Sequence, residues 1–286
     1  MASQLDGLVT WAALLEAGLT PRQVERTTAR LRPIHDGVFL TGHGRITDHE
    51  SRLAAVLTAP RTVLSHGSGA AHWGFRPWNA GFEVVTRPGS GGPERIANLL
   101  VCRSKTLDGY VTRRDGIPVT TPARTIIDLA PHLTQRQRAK AVREAIRLKV
   151  MTALELRLAL PDHRGRRGTR GLRELAARLE RLPIGRTRSD AEARALEVLD
   201  AAGVPPPDVN IRIEGDEADL SWAATRRIIE IDGPQFHQDP EEDARKERAW
   251  RAGGWTVDRL PSPAVFDAPE TLVALARNAE RRGTPQ

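Results

Sequence analysis

Three acids in the C-terminal third of the chain, Asp219, Glu230 and Asp232, have the spacing to share one cation. In Arg227-Ile228-Ile229-Glu230-Ile231-Asp232-Gly233 apolar and acidic residues alternate from Ile229 to Asp232. The two-residue period of a strand puts Glu230 and Asp232 on one face and Ile229 and Ile231 on the other. The two acidic Cα atoms are then about 6–7 Å apart, at a rise of ~3.3 Å per residue. Turns at 214–217 and 223–225 make the preceding strands antiparallel neighbours, so Asp219 is expected beside Glu230 or Asp232 across the ladder. Carboxylates crowded in this way repel each other. A hard divalent cation, Mg²⁺ or Mn²⁺, reverses the sign, because it takes oxygen ligands and keeps several waters. One such water, once deprotonated, can attack phosphorus while the cation neutralises the charge growing on the phosphate, which is phosphodiester hydrolysis. Asp219, Glu230 and Asp232 are therefore the expected metal ligands. His237, just past the strand, is an expected acid, base or ligand. The same three acids also suit the wet face of an antiparallel sheet.

Glu192 admits two readings. Ser189-Asp190-Ala191-Glu192 has the form of a capping box, which would account for the glutamate by itself. Glu192, Leu196 and Leu199 also fall at i, i+4, i+7, on the stripe facing the sheet, where a fourth acid would point at the cluster. The elements that must position these groups are a helix over 189–202 and a break at Pro205-Pro206-Pro207. Strands at 208–213, 217–222 and 226–232 follow, then a helix over 240–252, a strand at 255–259 and a helix over 267–281.

The N-terminal stretch reads as helix, helix, hairpin. Thr10 caps a first helix, and Thr20-Pro21-Arg22-Gln23 is a capping box with proline at the first helical position. Val24, Thr28 and Leu31 share one face, while Arg22, Arg26 and Arg30 recur every four residues on another. Ile34 and Val38 to Leu40 flank an Asp36-Gly37 turn, a hairpin signal. Together these describe a winged helix-turn-helix whose arginine stripe faces a major groove, with Arg32 near the wing. A solvated helix face gives the same stripe. A further capping box, Thr47-Asp48-His49-Glu50, starts the next helix, and Ser65 is expected to cap another running to Trp73. Short strands are expected at 62–64, 82–85, 99–102 and 117–120, in an α+β connector. Nine arginines lie between Arg164 and Arg188, suggesting a basic linker followed by an amphipathic helix.

Composition sets bounds on these readings. The 286 residues are enough for two or three domains, and 40% apolar with 28% charged residues is ordinary for a globular protein. No apolar run approaches the ~18 residues of a membrane span. The start, MASQLDGLVT, lacks a basic region followed by an apolar stretch, so secretion is not indicated. The lone Cys102 forms neither a disulfide nor a zinc cluster within the chain, which fits the cytoplasm. A net charge of +7 favours a polyanionic partner such as DNA, although an arginine-rich, GC-rich genome gives the same bias.

Five short motifs then carry a resemblance. Ser189-x-x-Glu192, Asp219-Leu220-Ser221-Trp222, Ile229-Glu230-Ile231-Asp232-Gly233, Phe236-His237 and Gly254-Trp255 resemble, in order, a bacterial domain similar to the very-short-patch-repair endonucleases of the PD-(D/E)XK superfamily. The resemblance implies metal ligation by Asp219 and by Glu230 or Asp232, an accessory role for Glu192, and a histidine near the metal at His237. It also implies that Asp243, Lys246 and Glu247 lie on the helix over the site. Asp232 stands where that superfamily usually has lysine, and Lys246 is the candidate to supply the missing charge. Val9-Thr10 through Gly42, with Asp36-Gly37-Val38-Phe39, resembles the winged-helix domain of AbiEi-type antitoxins of type IV toxin–antitoxin systems. Gly116 through Thr125 is similar to the segment that follows it there.

The expectation is thus an α+β multidomain protein. It has a winged helix-turn-helix at 1–60, an α+β connector at 61–160, a basic linker and helix at 161–188, and a restriction-endonuclease-like α/β domain with a central mixed sheet at 189–286. The expected function is DNA binding with Mg²⁺-dependent endonuclease chemistry. The alternative is a non-catalytic DNA-binding regulator, or an antitoxin with a cognate toxin as partner, that keeps a degenerate nuclease fold.

Overall fold

The computed structural model describes residues 7–42, 44–233 and 240–281. The chain is α+β with mixed sheets, and it divides into two compact units. The first runs to Ala141 and takes back Leu158–Leu172, so it spans most of the stretches expected at 1–60 and 61–160. The second consists of Val142–Arg157 and everything from Arg173 onward.

The first unit begins with β1 (Leu8–Thr10), α1 (Trp11–Glu16), α2 (Pro21–Thr28), β2 (Arg32–His35), β3 (Val38–Leu40) and α3 (Asp48–Val56). The helix starts follow the side chains that cap them. Thr10 accepts from the Ala13 amide at 3.1 Å, and Thr20–Gln23 and Thr47–Glu50 make reciprocal capping boxes. Gly37, at φ 68°, turns the β2–β3 hairpin through left-handed backbone that favours glycine. Pairing with β1 completes a three-stranded antiparallel sheet in the order β1-β3-β2, over a core of Leu8, Val38, Leu40 and Ala54. Strand β1 is an addition to the sequence reading; three residues are too few for their alternation to register.

Next come β4 (Val63–Leu64), α4 (His66–Trp73), β5 (Glu83–Pro88), β6 (Glu94–Ile96), β7 (Leu99–Ser104), β8 (Val111–Arg114), β9 (Ile117–Thr120) and α5 (Pro122–Leu129). The strands form a six-stranded mixed sheet in the order β6-β7-β5-β4-β9-β8. Leu64, Val85, Val101, Ile117 and Val119 fill its core. The central strands are those expected from their apolar residues. The two edge strands, β6 and β8, are mostly exposed and so carry no buried alternation to read. Ser65 occupies the cap position of α4 but makes no capping bond. Its hydroxyl instead lies 3.0 Å from His66 Nδ1 and accepts from Thr86 at 2.8 Å. Inside this unit Asp128 on α5 is buried with Arg124, whose Nε donates to both its oxygens at 2.9 Å, and it also accepts from Arg166 at 2.5 Å.

Helices α6 (Gln135–Arg147), α7 (Ala153–Ala159) and α8 (Thr169–Leu179) follow, and α8 lies in the stretch expected as a basic linker and helix. The second unit's fold is then α9 (Asp190–Ala201), β10 (Asp208–Ile213), β11 (Asp216–Trp222), β12 (Arg227–Asp232), α10 (Pro240–Ala252), β13 (Thr256–Pro261), α11 (Ser262–Asp267) and α12 (Pro269–Arg281). The four strands lie in sequence order, the first two pairings antiparallel and β12–β13 parallel, so α10 is a crossover connection. Ile213, Ala218, Ile228, Trp250 and Val257 pack as one core, and α9 packs with α11 and α12. Helix α9 is fixed from the α6 side by the buried Arg143, which donates to Asp190 and Glu197 at 2.6 Å each. Among the described residues no helix is long and apolar enough to cross a membrane.

Candidate functional site

Asp219 and Glu230 meet at a break in the β11–β12 ladder. Regular pairing ends at Leu220↔Ile229. At the next step the bonds pass through carboxylates. The Asp219 amide donates to Glu230 Oε1 at 3.0 Å, and the Ile231 amide donates to Asp219 Oδ2 at 2.8 Å. On the other edge of β11, the β10 register runs from Val209↔Leu220 to Ile211↔Ala218 across Asn210, whose backbone is left-handed at φ 50°. Asparagine tolerates that conformation better than most residues. The Leu220↔Ile229 register, carried one residue further, sets Asp219 opposite Glu230, so the two side chains rise from one face of the sheet.

Electrostatics follow from that placement. Burial, together with neighbouring Glu192, Asp232 and Glu217, pushes the Asp219 carboxyl up to about 7, against the bond from the Ile231 amide. Burial and then Asp219 push Glu230 up to about 8, opposed by the Asp219 amide and the Arg259 charge. Two half-buried carboxyls thus compete for a proton in the absence of a cation. Each keeps a second oxygen beyond the one held by a backbone amide.

Glu192 stands behind this pair. It is buried, and its Oε2 accepts from the Arg188 amide and from Asn210 Nδ2, both at 2.8 Å. Only half of the expected capping box forms: Ser189 accepts from the Glu192 amide, but the Glu192 carboxylate reaches Arg188 instead of Ser189. Glu192 therefore braces the left-handed Asn210 opposite Asp219 and adds negative charge.

Asp232 turns to a cation. Its Oδ2 lies 3.3 Å from Arg259 Nε, while Arg259 Nη2 lies 3.4 Å from Asp243 Oδ2 on α10. Lys246 pairs with Glu242 at 3.3 Å along its own helix and acts on Asp216, and Glu247 pairs with Arg251. His237 and Phe236 lie outside the described residues. Among the described residues no group of three or more His, Cys, Asp or Glu side chains is arranged to hold a metal ion. Asp219 and Glu230 are brought together, and Asp232 is beside them but engaged with Arg259.

Sequence reasoning missed Arg259. The parallel pairing sets it opposite Glu230, a relation that exists only once the crossover through α10 has closed. The available signal was its spacing of two from Val257, on the same face of a strand that returns beside β12.

The arginines of the N-terminal stretch are all exposed. Arg22 and Arg26 lie on α2, Arg30 lies in the turn after the helix ends, and Arg32 opens β2 with Nη1 donating to the Gly44 carbonyl at 3.4 Å.

No family model matches the chain. Two proteins of Mycobacterium tuberculosis are similar to it: Uncharacterized protein MT2308 of strain CDC 1551 / Oshkosh and Uncharacterized protein Rv2248 of strain ATCC 25618 / H37Rv. Each is 28% identical over 243 residues, covering 80% of this chain and 86% of the relative.

Proposed function

We propose that this chain is a cytoplasmic DNA-binding protein whose second unit hydrolyses phosphodiester bonds with a divalent cation, on a fold of the PD-(D/E)XK kind. The carrying observation is the Asp219–Glu230 pair, two carboxyls from adjacent strands facing each other at a break in the ladder. A helix, three antiparallel strands, a crossover helix and a parallel strand suit the same reading. The donor set fits Mg²⁺ or Mn²⁺: such an ion uses one or two carboxylates and fills the rest of its shell with water and phosphate oxygen. Asp219 and Glu230 would hold it through their second oxygens. When bound, the ion supplies charge neutralisation at the scissile phosphate and makes water more acidic.

The chain's own residues do the remainder. The amides of Asp219 and Ile231 fix the two carboxylates, so little reorganisation is needed on binding. Glu192 holds the β10 kink. Asp232, beside the pair, is the acceptor for a proton leaving water. The first unit contributes a winged-helix reader, with exposed Arg22, Arg26, Arg30 and Arg32 as its phosphate contacts.

A second reading has its own support. Asp232 occupies the usual lysine position and is paired with Arg259, as expected of a degenerate nuclease fold in a DNA-binding regulator or antitoxin with a toxin partner. Cleavage assays on DNA and RNA of several forms, with Asp219→Asn as control, separate the two. The nuclease reading expects Mg²⁺- or Mn²⁺-dependent cleavage that falls about 100- to 1,000-fold in the variant. Cleavage indifferent to Asp219 would refute it.

A further inference from the structure

We propose that Arg259 is the phosphate-contacting cation of this site, filling from the neighbouring strand the charge position that Asp232 leaves without lysine. The inference rests on the phosphodiesterase reading above and assigns the side chain that would hold the phosphate. Three observations carry it. The first is register: β12 and β13 pair in parallel with Glu230 opposite Arg259, so the two side chains rise from one face of a rigid sheet. The second is availability. Arg259 contacts Asp232 and Asp243 at 3.3 and 3.4 Å, longer than the ~2.7–2.9 Å of a full charge-assisted bond, and its side chain is 34% exposed. Two other arginines of the same unit are committed. Arg245 grips Asp216 with a closed fork at 2.7 and 3.0 Å, and Arg227 is bonded to Asp258. The third is the position of Lys246, which pairs with Glu242 and whose charge acts on Asp216.

The identity of the residue limits its role. A guanidinium stays protonated at any working pH, so Arg259 binds and neutralises a phosphate oxygen but takes no proton from water. Its two loose acidic partners hold the fork in place until phosphate displaces them. Asp232, released from the ion pair, is then free as an acceptor.

The test uses the full chain and a short DNA duplex, with Ca²⁺ replacing Mg²⁺ so that binding is read without turnover. Duplex affinity is measured by fluorescence anisotropy with and without Ca²⁺, and Ca²⁺ binding alone by calorimetry. In the wild type Ca²⁺ should tighten duplex binding. Arg259→Gln should still bind Ca²⁺ but lose about ten-fold or more of that gain, as expected for one charge-assisted contact. Asp219→Asn should lose both. If Arg259→Gln keeps the whole gain while Asp219→Asn loses it, the Arg259 assignment is overturned and the nuclease reading stands. If the wild type shows no Ca²⁺-dependent gain, both fall. Should the glutamine variant fail to fold, Arg259→Lys decides: it keeps the charge and must retain a gain, and loss of the gain in the folded lysine variant overturns the assignment.

Discussion

Asp128 in the first unit and the Asp219–Glu230 pair in the second are acids withdrawn from water in opposite ways. Asp128 sits against two guanidinium groups, and Arg124 goes on to donate to the Thr106 carbonyl and to Ser104 at 3.0 Å. Desolvated charge there is matched by charge and by hydrogen bonds, the condition under which a buried ion pair is tolerated. Among the described residues, Asp219 and Glu230 have backbone amides, each other, and an arginine that is shared with two further acids. Nothing in the folding of β11 and β12 demands such a pair. Two half-buried groups left to repel each other mark a place where stability has been given up.

Breaking the matched cluster should have the larger effect on folding. Arg124→Met leaves Asp128 with Arg166 alone and is expected to cost about 3–5 kcal/mol in denaturant unfolding of the full chain. A cost under about 1 kcal/mol, the level of a surface pair, would show that burial is not what makes this cluster matter.

The unmatched pair should give a smaller effect of the opposite sign. In the metal-free protein Asp219 and Glu230 are pushed up to about 7 and about 8, above the ~4 of carboxyls in an unfolded chain. The folded state then holds protons that the unfolded state has released, so stability falls as pH rises from about 4 through about 8. Asp219→Asn and Glu230→Gln remove that penalty. Each is expected to unfold about 1–3 kcal/mol later than the wild type at pH 8.5 with chelator, and with little difference near pH 4. Equal displacement at both pH values would contradict an electrostatic origin.

Much of the second unit was legible because its strands carry apolar alternation and α9 carries the Ser189 cap. The β12 run with Ile229 and Ile231 on one side is readable because strand geometry fixes the face of every second residue. The break in the ladder at Asp219 is not, since Asp-Leu-Ser-Trp has the same pattern whether backbone pairing continues there or passes through carboxylates. Two local signals do not say which partner a side chain takes. Ser189 and Glu192 have capping-box spacing, but Asn210 and the Arg188 amide compete for the carboxylate. Lys246 has the charge to complete the site, but Glu242 lies one turn before it. Arg259 could be found only after the crossover helix had set the register, because Glu230, the acid opposite it, is 29 residues away on another strand.

The central claim is that Asp219 and Glu230 form a cation site whose carboxyls hold protons below about pH 7 in its absence. It is tested most directly by titrating the full chain with Mn²⁺ or Mg²⁺ in a calorimeter, in buffers of different ionisation enthalpy at pH 6.5 and pH 9. The account predicts one Asp219-dependent site, with proton release at pH 6.5 that fades by pH 9 because the carboxyls have then already ionised. Binding that survives in Asp219→Asn, or no binding at either pH, would contradict it.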